Sequence, residues 1–187
     1  MFAKLWSAIV RRVLGNEAFA RRLGVKIGSG CRILTGSFGS EPFLITIGDN
    51  VTISHGTQFI NHDGAAWLAR DELGRRFAYR RIVIGDNCFV GANTILMPGV
   101  RLGNNVIVAA GSVVTKSVPD GVVVGGNPAH FIAGYQSYID KALNWCDDSR
   151  FKSGVSYRDR VCSGVEVGFK PSLAVPDAFC QSNTETL

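Results

Sequence analysis

The sequence lacks the features that define several large classes of protein. No apolar run among its 187 residues reaches the ~18 residues of a membrane-spanning helix, and no signal-peptide cleavage pattern follows the N-terminus. Its five cysteines are odd in number and irregularly spaced, with no C-x-x-C pair and no zinc-finger spacing. We therefore expect a cytoplasmic protein with reduced thiols, no metal site and no integral membrane segment.

Net positive charge is absent outside one end of the chain. The net charge is +5, and residues 1–26 account for all of it, because they carry six basic residues against one acidic residue. The remainder is neutral overall and shows no nucleic-acid-binding motif, so we expect no nucleic-acid partner. With 46% apolar and 19% charged residues, the composition is typical of a globular chain with one core.

A period of six residues is the main signal in the sequence. Aliphatic residues occupy every sixth position of the central region, and the position four after each one is small or β-branched. The aliphatic positions are Ile84, Val90, Leu96, Leu102, Val108 and Val114. Shorter upstream runs in other frames comprise Ile27, Ile33, Ile47, Ile53 and Phe59.

Three such hexads are enough for one triangular coil with inward-pointing aliphatic side chains. Stacked coils pair neighbouring strands at ~4.8 Å and bury one continuous column. The period therefore predicts an all-β parallel β-helix of roughly four to five coils between Ile27 and Ala133, interrupted by insertions at 36–42 and 65–81. An ordinary β-sandwich is disfavoured, because its turns would recur about every 8–12 residues.

Helical patterns flank the hexads. Residues 2–14 follow an apolar i, i+3, i+4 rhythm, which predicts an amphipathic helix, and a second short helix is expected from Asn16 to about Leu23. The first helix suits either a cap on the β-helix or a peripheral contact with an anionic membrane surface. We divide the chain into an N-terminal helical cap (1–26), the β-helix (27–133) and a C-terminal part (134–187). That last part should contain a helix from Tyr135 to about Cys146 and a loose tail from Asp147.

Three segments resemble known enzymes. The stretch from Ile84 to Ile132, which begins IGDN and ends GGNPAHFI, closely resembles the hexapeptide-repeat acyltransferases, in particular the maltose/galactoside and polysaccharide O-acetyltransferase branch. The segments SEPFLITIGDNVTIS (Ser40–Ser54) and FINHDG (Phe59–Gly64) are similar to sugar O-acetyltransferases of capsule and O-antigen pathways. The resemblance implies a left-handed winding, which spacing alone does not show. It also implies acetyl-CoA as co-substrate and a sugar or nucleotide-sugar acceptor used in surface polysaccharide biosynthesis. Because a single β-helix offers flat faces and no deep cleft, a groove requires a second copy, and we expect a homotrimer.

The resemblance identifies His62 as the catalytic residue, since family members carry a histidine just before the loop that interrupts the coils. A neutral imidazole can take the proton of a sugar hydroxyl as its oxygen attacks the thioester. The alternative is a surface histidine in a turn. Asn61 and Asp63 are candidate substrate contacts, although at most one of them shares the face of His62, because neighbouring strand residues point to opposite faces.

Further candidates lie in the two insertions and along the last coils. Glu41 either reaches the acceptor pocket or only holds its turn. Residues 64–81, which include Trp67, form either a substrate-covering arm or a solvated loop. The resemblance implies a groove for acetyl-CoA between two β-helices, with contacts from Ala92, Ala110, Thr115, Lys116 and Pro128. His130 and Ala133 stand where the sugar acetyltransferases often have basic residues.

Two other functions remain open at the level of sequence. The first keeps the fold and changes the acceptor to an amine, an antibiotic alcohol or serine. The second is a non-catalytic or carbonic-anhydrase-like β-helix. The zinc-dependent form needs three histidine ligands, and the three histidines of this chain (His55, His62 and His130) lack the paired spacing of that family.

Overall fold

The computed structural model describes residues 15–145, 147, 154–165 and 168–171. The chain divides into two compact units, Met1–Ala142 and Leu143–Leu187. The amphipathic helix predicted for residues 2–14 lies outside the described residues. Within them, no helix is both long and apolar enough to cross a membrane.

In the first unit, successive strands of the chain belong to three parallel sheets in rotation. Sheet I contains β1 (Lys26–Ile27), β3 (Ile45–Ile47), β8 (Ile82–Ile84) and β11 (Arg101–Leu102). Sheet II contains β2 (Arg32–Ile33), β4 (Thr52–Ile53), β9 (Phe89–Val90), β12 (Ile107–Val108) and β14 (Val122–Gly125). Sheet III contains β5 (Gln58–Phe59), β10 (Ile95–Leu96) and β13 (Val113–Val114). Because successive circuits add strands to the same three sheets, the chain forms a three-sided stack of coils, as the six-residue period predicts.

The predicted aliphatic positions form the core of this stack. All six residues of the main run are buried, with at most 1% exposure, and the upstream run is buried as well. The strand register places them directly over one another: Ile84 with Leu102, Val90 with Val108, and Leu96 with both Phe59 and Val114. Burial of each such side chain contributes about 1.5–3 kcal/mol, so the repeat is a major source of stabilisation.

Polar side chains close the corners between sheets I and II. One residue at each corner has a left-handed backbone, with φ between 54° and 75°: Gly30, Asn50, Asn87, Asn105 and Gly121. Glycine and asparagine adopt this conformation at the lowest cost. The residue before each of the last four accepts a backbone N–H from the preceding coil: Asp49 from Ser29, Asp86 from Asp49, Asn104 from Asp86, and Asp120 from Asn104. This ladder satisfies the N–H groups that the corner removes from the sheets.

Short elements cover both ends of the stack. Residues 15–22 form helix α1, whose Ala20 is fully buried and whose Arg21 donates to the carbonyls of Ile27 and Gly28. At the other end, β15 (His130–Gly134) pairs antiparallel with β14 and ends the parallel series. Helix α2 (Tyr135–Ala142) follows, at the position where the sequence predicts a helix.

Both predicted insertions leave the stack at the corner between sheets III and I. The first contains a 3₁₀-helix at Pro42–Leu44. The second, which we call the arm (residues 63–80), contains a 3₁₀-helix at Gly64–Leu68 and a hairpin of β6 (Arg70–Asp71) and β7 (Gly74–Arg75). Backbone hydrogen bonds hold the arm together at its neck, where the Asp63 N–H donates to Ala78 and the Arg80 N–H donates to Asn61.

The second unit corrects one prediction. The sequence analysis expects a loose tail from Asp147, but helix α3 occupies Tyr157–Gly164. Ser156 caps this helix by accepting the N–H of Asp159, which also places a carboxylate in the first turn. Such local capping stabilises a helix that has no apolar periodicity, and periodicity was the signal used in the prediction.

Candidate active site

His62 lies at the corner between sheets III and I, three residues after the end of β5. The strand alternation turns Asn61 into the coil and His62 outward, and His62 forms an antiparallel bridge with Tyr79 at the neck of the arm. The first insertion passes the same corner one coil earlier, with Gly39 close to the carbonyl of Phe59. Two irregular segments therefore meet at His62.

A carboxylate orients the imidazole of His62. The Nδ1 atom of His62 lies 2.9 Å from Oε2 of Glu41, and the two side chains are 41% and 16% exposed. Since an ionised carboxylate only accepts hydrogen bonds, this contact favours the neutral tautomer that carries its proton on Nδ1, and in that tautomer Nε2 has a free lone pair. Glu41 also lines the pocket beside His62, as the first of its two sequence interpretations expects, and its contact with Nδ1 positions the ring of His62.

The prediction that Asn61 contacts the substrate is wrong, because the structure buries this residue inside the corner. Its side chain is only 1% exposed, and its Nδ2 donates to the carbonyl of Arg80, 3.3 Å away. Its Oδ1 atom has no hydrogen-bond partner among the described residues. The alternation that exposes His62 is the reason that Asn61 points inward.

The other predicted substrate contacts surround His62. Asp63 caps the 3₁₀-helix of the arm by accepting the N–H of Ala65, so its carboxylate has a structural role, and it also borders the pocket. Trp67 is half-exposed and lines the same pocket as His62 and Glu41. The pocket has a volume of about 120 Å³.

A series of arginine and aromatic side chains runs along the arm to His62. The Arg75 guanidinium lies 5.2 Å from the Trp67 ring and 4.1 Å from the Phe77 ring, the Phe77 and Tyr79 rings are stacked at 6.0 Å, and Tyr79 meets the ring of His62 edge-on at 6.0 Å. Sequence reasoning missed Phe77. The signal that could have found it is the alternation of residues 75, 77 and 79, which places these side chains on one face of the returning strand.

The predicted acetyl-CoA contacts fall into two groups. Ala92 and Ala110 lie at the corner between sheets II and III, with Ala110 exposed and the neighbouring Gly111 open to solvent. Thr115 and Lys116 directly follow β13, at the same corner as His62 and two coils farther along. Sheet III, roughly 15 Å wide at ~3.3 Å per residue, separates the two groups within one chain.

The remaining candidates lie away from His62. Lys116 and His130 border a second cavity of about 230 Å³, and Pro128 is exposed in the turn before β15. His55 is exposed at the corner between sheets II and III, where its carbonyl accepts the N–H of Asn93. The structure therefore does not place His55 beside His62.

The buried thiol of Cys88 is not a nucleophile. Its side chain is 3% exposed and contacts the carbonyl of Gly103 at 3.1 Å. Burial is the main cause that raises the pKa of Cys88 to about 11, and the carboxylates of Asp86 and Asp120 act in the same direction. The thiol therefore stays protonated at neutral pH.

Known proteins share this architecture and much of this sequence. Residues 81–116 match the family described as the hexapeptide repeat of succinyl-transferase. Protein CapG of Staphylococcus aureus is 47% identical over 147 residues, which are 77% of this chain and 85% of that protein. The galactoside O-acetyltransferase of Escherichia coli is 33% identical over 92 residues, 49% of this chain and 45% of that protein.

Solved structures agree with the sequence relatives. A hexapeptide-repeat acetyltransferase from Vibrio cholerae superposes with a TM-score of 0.57 at 25% identity, covering 71% of this chain and 88% of that one. Its complex with acetyl-CoA gives a TM-score of 0.52 at 26% identity, covering 64% of this chain and 75% of that one. The chain belongs to the hexapeptide-repeat acyltransferase family, which confirms the resemblance seen in its sequence. It is an acyltransferase.

Proposed function

We propose that this enzyme transfers the acetyl group of acetyl-CoA to a hydroxyl of a sugar or nucleotide sugar used in surface polysaccharide biosynthesis, with His62 as the general base. The observation that carries the proposal is the hydrogen bond between His62 and Glu41 at the edge of a pocket lined by the arm. The relation to a galactoside O-acetyltransferase supports a sugar hydroxyl as the acceptor.

The geometry suits a direct transfer. With Nδ1–H donated to Glu41, Nε2 of His62 accepts the acceptor's hydroxyl proton while the hydroxyl oxygen attacks the thioester carbonyl carbon. The carboxylate of Glu41 stabilises the imidazolium that forms. As the C–S bond breaks, the imidazolium returns the proton to the CoA sulfur. None of the described residues that line the pocket is a serine or cysteine, which agrees with transfer without an acyl-enzyme.

The predicted acetyl-CoA contacts suit acetyl-CoA as a substrate. Ala92, Ala110 and the open Gly111 leave backbone accessible to a thin pantetheine chain. Lys116, which has no carboxylate partner among the described residues, offers a positive charge to a phosphate. Thr115 and Pro128 are exposed and therefore accessible to the same ligand.

A second copy of the chain is part of the proposal. A pocket of about 120 Å³ is smaller than the ~300–1,000 Å³ typical of ligand sites, and the alanine corner lies across sheet III from His62. A groove formed between two left-handed β-helices would bring the alanine corner of one subunit to His62 of the next. A closed homotrimer repeats this heterologous contact three times. The cytoplasmic location stays a prediction.

The test is acetyl-CoA-dependent release of CoA thiol, measured with a panel of sugars and nucleotide sugars. His62→Ala should lose ~10²–10⁴-fold in rate, as expected for a general base, and should still bind acetyl-CoA in a calorimetric titration. Glu17→Gln is the control, because Glu17 lies on α1 and forms only an exposed ion pair with Arg21. Equal turnover by wild type and His62→Ala would remove His62 from the mechanism. No sugar-dependent turnover by wild type would refute the acceptor class.

A further inference from the structure

Two arginines of the arm, Arg70 and Arg75, form no ion pair among the described residues. Arg70 and Arg75 are direct partners in the antiparallel pair of β6 and β7. Their guanidinium groups lie over the same indole ring, at 4.1 Å and 5.2 Å from the centre of Trp67. Among the described residues, neither arginine has a carboxylate within ion-pair distance, whereas Arg76 is paired with Asp71.

Such an arrangement opposes stability in the free protein. Like charges directly opposite each other on an antiparallel pair are destabilising, and these strands contain only two residues each. Stacking on Trp67 offsets part of the repulsion, since a guanidinium is attracted to an aromatic face. An anion bound between the two arginines would remove the repulsion directly, because it pairs with both.

The position of Arg75 links this charge to the reaction centre. Arg75 lines the same pocket as His62 and Glu41. It is fixed between Trp67 and Phe77, so its planar donors are held in place before a ligand arrives. A ligand held by Arg75 would therefore extend toward Nε2 of His62, past the stacked rings of Phe77 and Tyr79.

Building on the proposed function, we propose that the acceptor carries an anionic group, a phosphate or a carboxylate, which Arg75 binds with help from Arg70 while the acceptor's hydroxyl lies at His62. A phosphate of CoA is the other source of the same chemistry. The pantetheine chain separates those phosphates from the thioester, so a thioester placed at His62 leaves them outside the pocket that Arg75 lines. The acceptor is thus the source that the geometry favours.

Binding is tested first, without turnover. Inorganic pyrophosphate is titrated into the wild-type protein while tryptophan fluorescence is recorded, because Trp67 lies beneath both arginines. Trp67→Phe identifies the responding indole. Arg75→Gln should weaken pyrophosphate binding by about 10- to 100-fold, and Arg75→Lys should weaken it less, as it keeps the charge but loses the planar donors. Arg32→Gln, an exposed arginine on β2, should bind like wild type.

Kinetics then separates the two anion sources. Galactose is compared with galactose 1-phosphate, and glucose with glucuronate, as acceptors. If the proposal holds, Arg75→Gln raises KM about 10- to 100-fold for the charged member of each pair and leaves KM for the neutral sugar and for acetyl-CoA unchanged. A rise in KM for acetyl-CoA alone would assign the anion to CoA and overturn the proposal. Equal effects on charged and neutral sugars, with wild-type pyrophosphate binding by Arg75→Gln, would also overturn it.

The same data distinguish failure of this inference from failure of the proposed function. Pyrophosphate binding that depends on Arg75, with no sugar-dependent release of CoA thiol, would refute the acetyl transfer and leave the anion site standing. Sugar-dependent release of CoA thiol, with no pyrophosphate binding and no preference for charged sugars, would refute the anion site and leave the acetyl transfer standing. Thermal unfolding of each variant, with the Arg75→Lys rescue, shows whether a loss reflects the site or the fold.

Discussion

Replacing Glu41 with glutamine perturbs the proposed mechanism at a single charge. Glutamine has nearly the shape of glutamate and keeps a carbonyl oxygen, so the Nδ1–H of His62 retains an acceptor. What the variant loses is the attraction between the carboxylate and the imidazolium that forms when His62 takes the acceptor's proton. We therefore expect Glu41→Gln to fold and to bind acetyl-CoA as wild type does, but to react more slowly.

The structure sets the size of this loss. Two unit charges about 4 Å apart attract by about 4 kcal/mol at an effective dielectric constant of ~20. The pair is joined at 2.9 Å, but His62 is 41% exposed, so solvent screens part of the attraction. Halving the attraction for this exposure leaves about 2 kcal/mol, which is a ~30-fold decrease in kcat/KM. Glu41→Ala should lose more, because it also removes the acceptor that holds the tautomer.

The assay is the initial rate of CoA-thiol release at several acceptor and acetyl-CoA concentrations. Glu17→Gln serves as the control, since Glu17 forms only an exposed ion pair with Arg21 on α1. The KM for acetyl-CoA should be the same in all four proteins. If Glu41→Gln keeps the wild-type kcat/KM while His62→Ala is inactive, the carboxylate has no part in the rate and the derivation above is wrong.

Two further predictions concern the coil stack. Burial raises the pKa of Cys88 from 9.0 to about 11, so the unfolded thiol ionises over that range while the folded thiol keeps its proton. The free energy of unfolding should therefore fall by about 2–3 kcal/mol as the pH rises through this window, at roughly 1.4 kcal/mol per unit. In urea titrations the slope should be steeper in wild type than in Cys88→Ala by this amount, and equal slopes would contradict the pKa shift of Cys88. Gly91→Ala should lower stability by about 1–3 kcal/mol, because its Cβ would overlap the backbone nitrogen of Ala110. Gly134→Ala, where a Cβ meets nothing within 4 Å, is the matched control in thermal unfolding, and equal stability of the two variants would show that the coils can separate.

The coil stack could be predicted from sequence because it is a local repeat. Each buried aliphatic residue meets its equivalent in the next coil, so one period of six residues sets both the burial and the register. Leu96 shows this directly, since it lies between Phe59 and Val114, one coil away on either side. The six-residue period does not indicate the handedness of the winding.

The contact between Glu41 and His62 could not be predicted from the spacing of residues in the sequence. The two residues are 21 positions apart, because Glu41 belongs to the first insertion and His62 directly precedes the arm in the next coil. Their contact depends on both insertions leaving the stack at one corner, which no periodicity reports. The facing of Arg70 and Arg75 is unpredictable for the same reason, because the register of the arm hairpin is independent of the hexads.

The corner between sheets III and I differs from the other corners in how its polar groups are satisfied. At the corners between sheets I and II, Asp and Asn side chains accept backbone N–H groups in an unbroken ladder. At the site corner, Asn61 is buried with its Oδ1 atom unpartnered among the described residues, a cost of about 1–3 kcal/mol. Its Nδ2 instead donates to the carbonyl of Arg80 and ties the returning end of the arm to the coil. The neck of the arm is thereby tied to the coil one residue from His62, which places the segment that carries Arg75 beside the proposed general base.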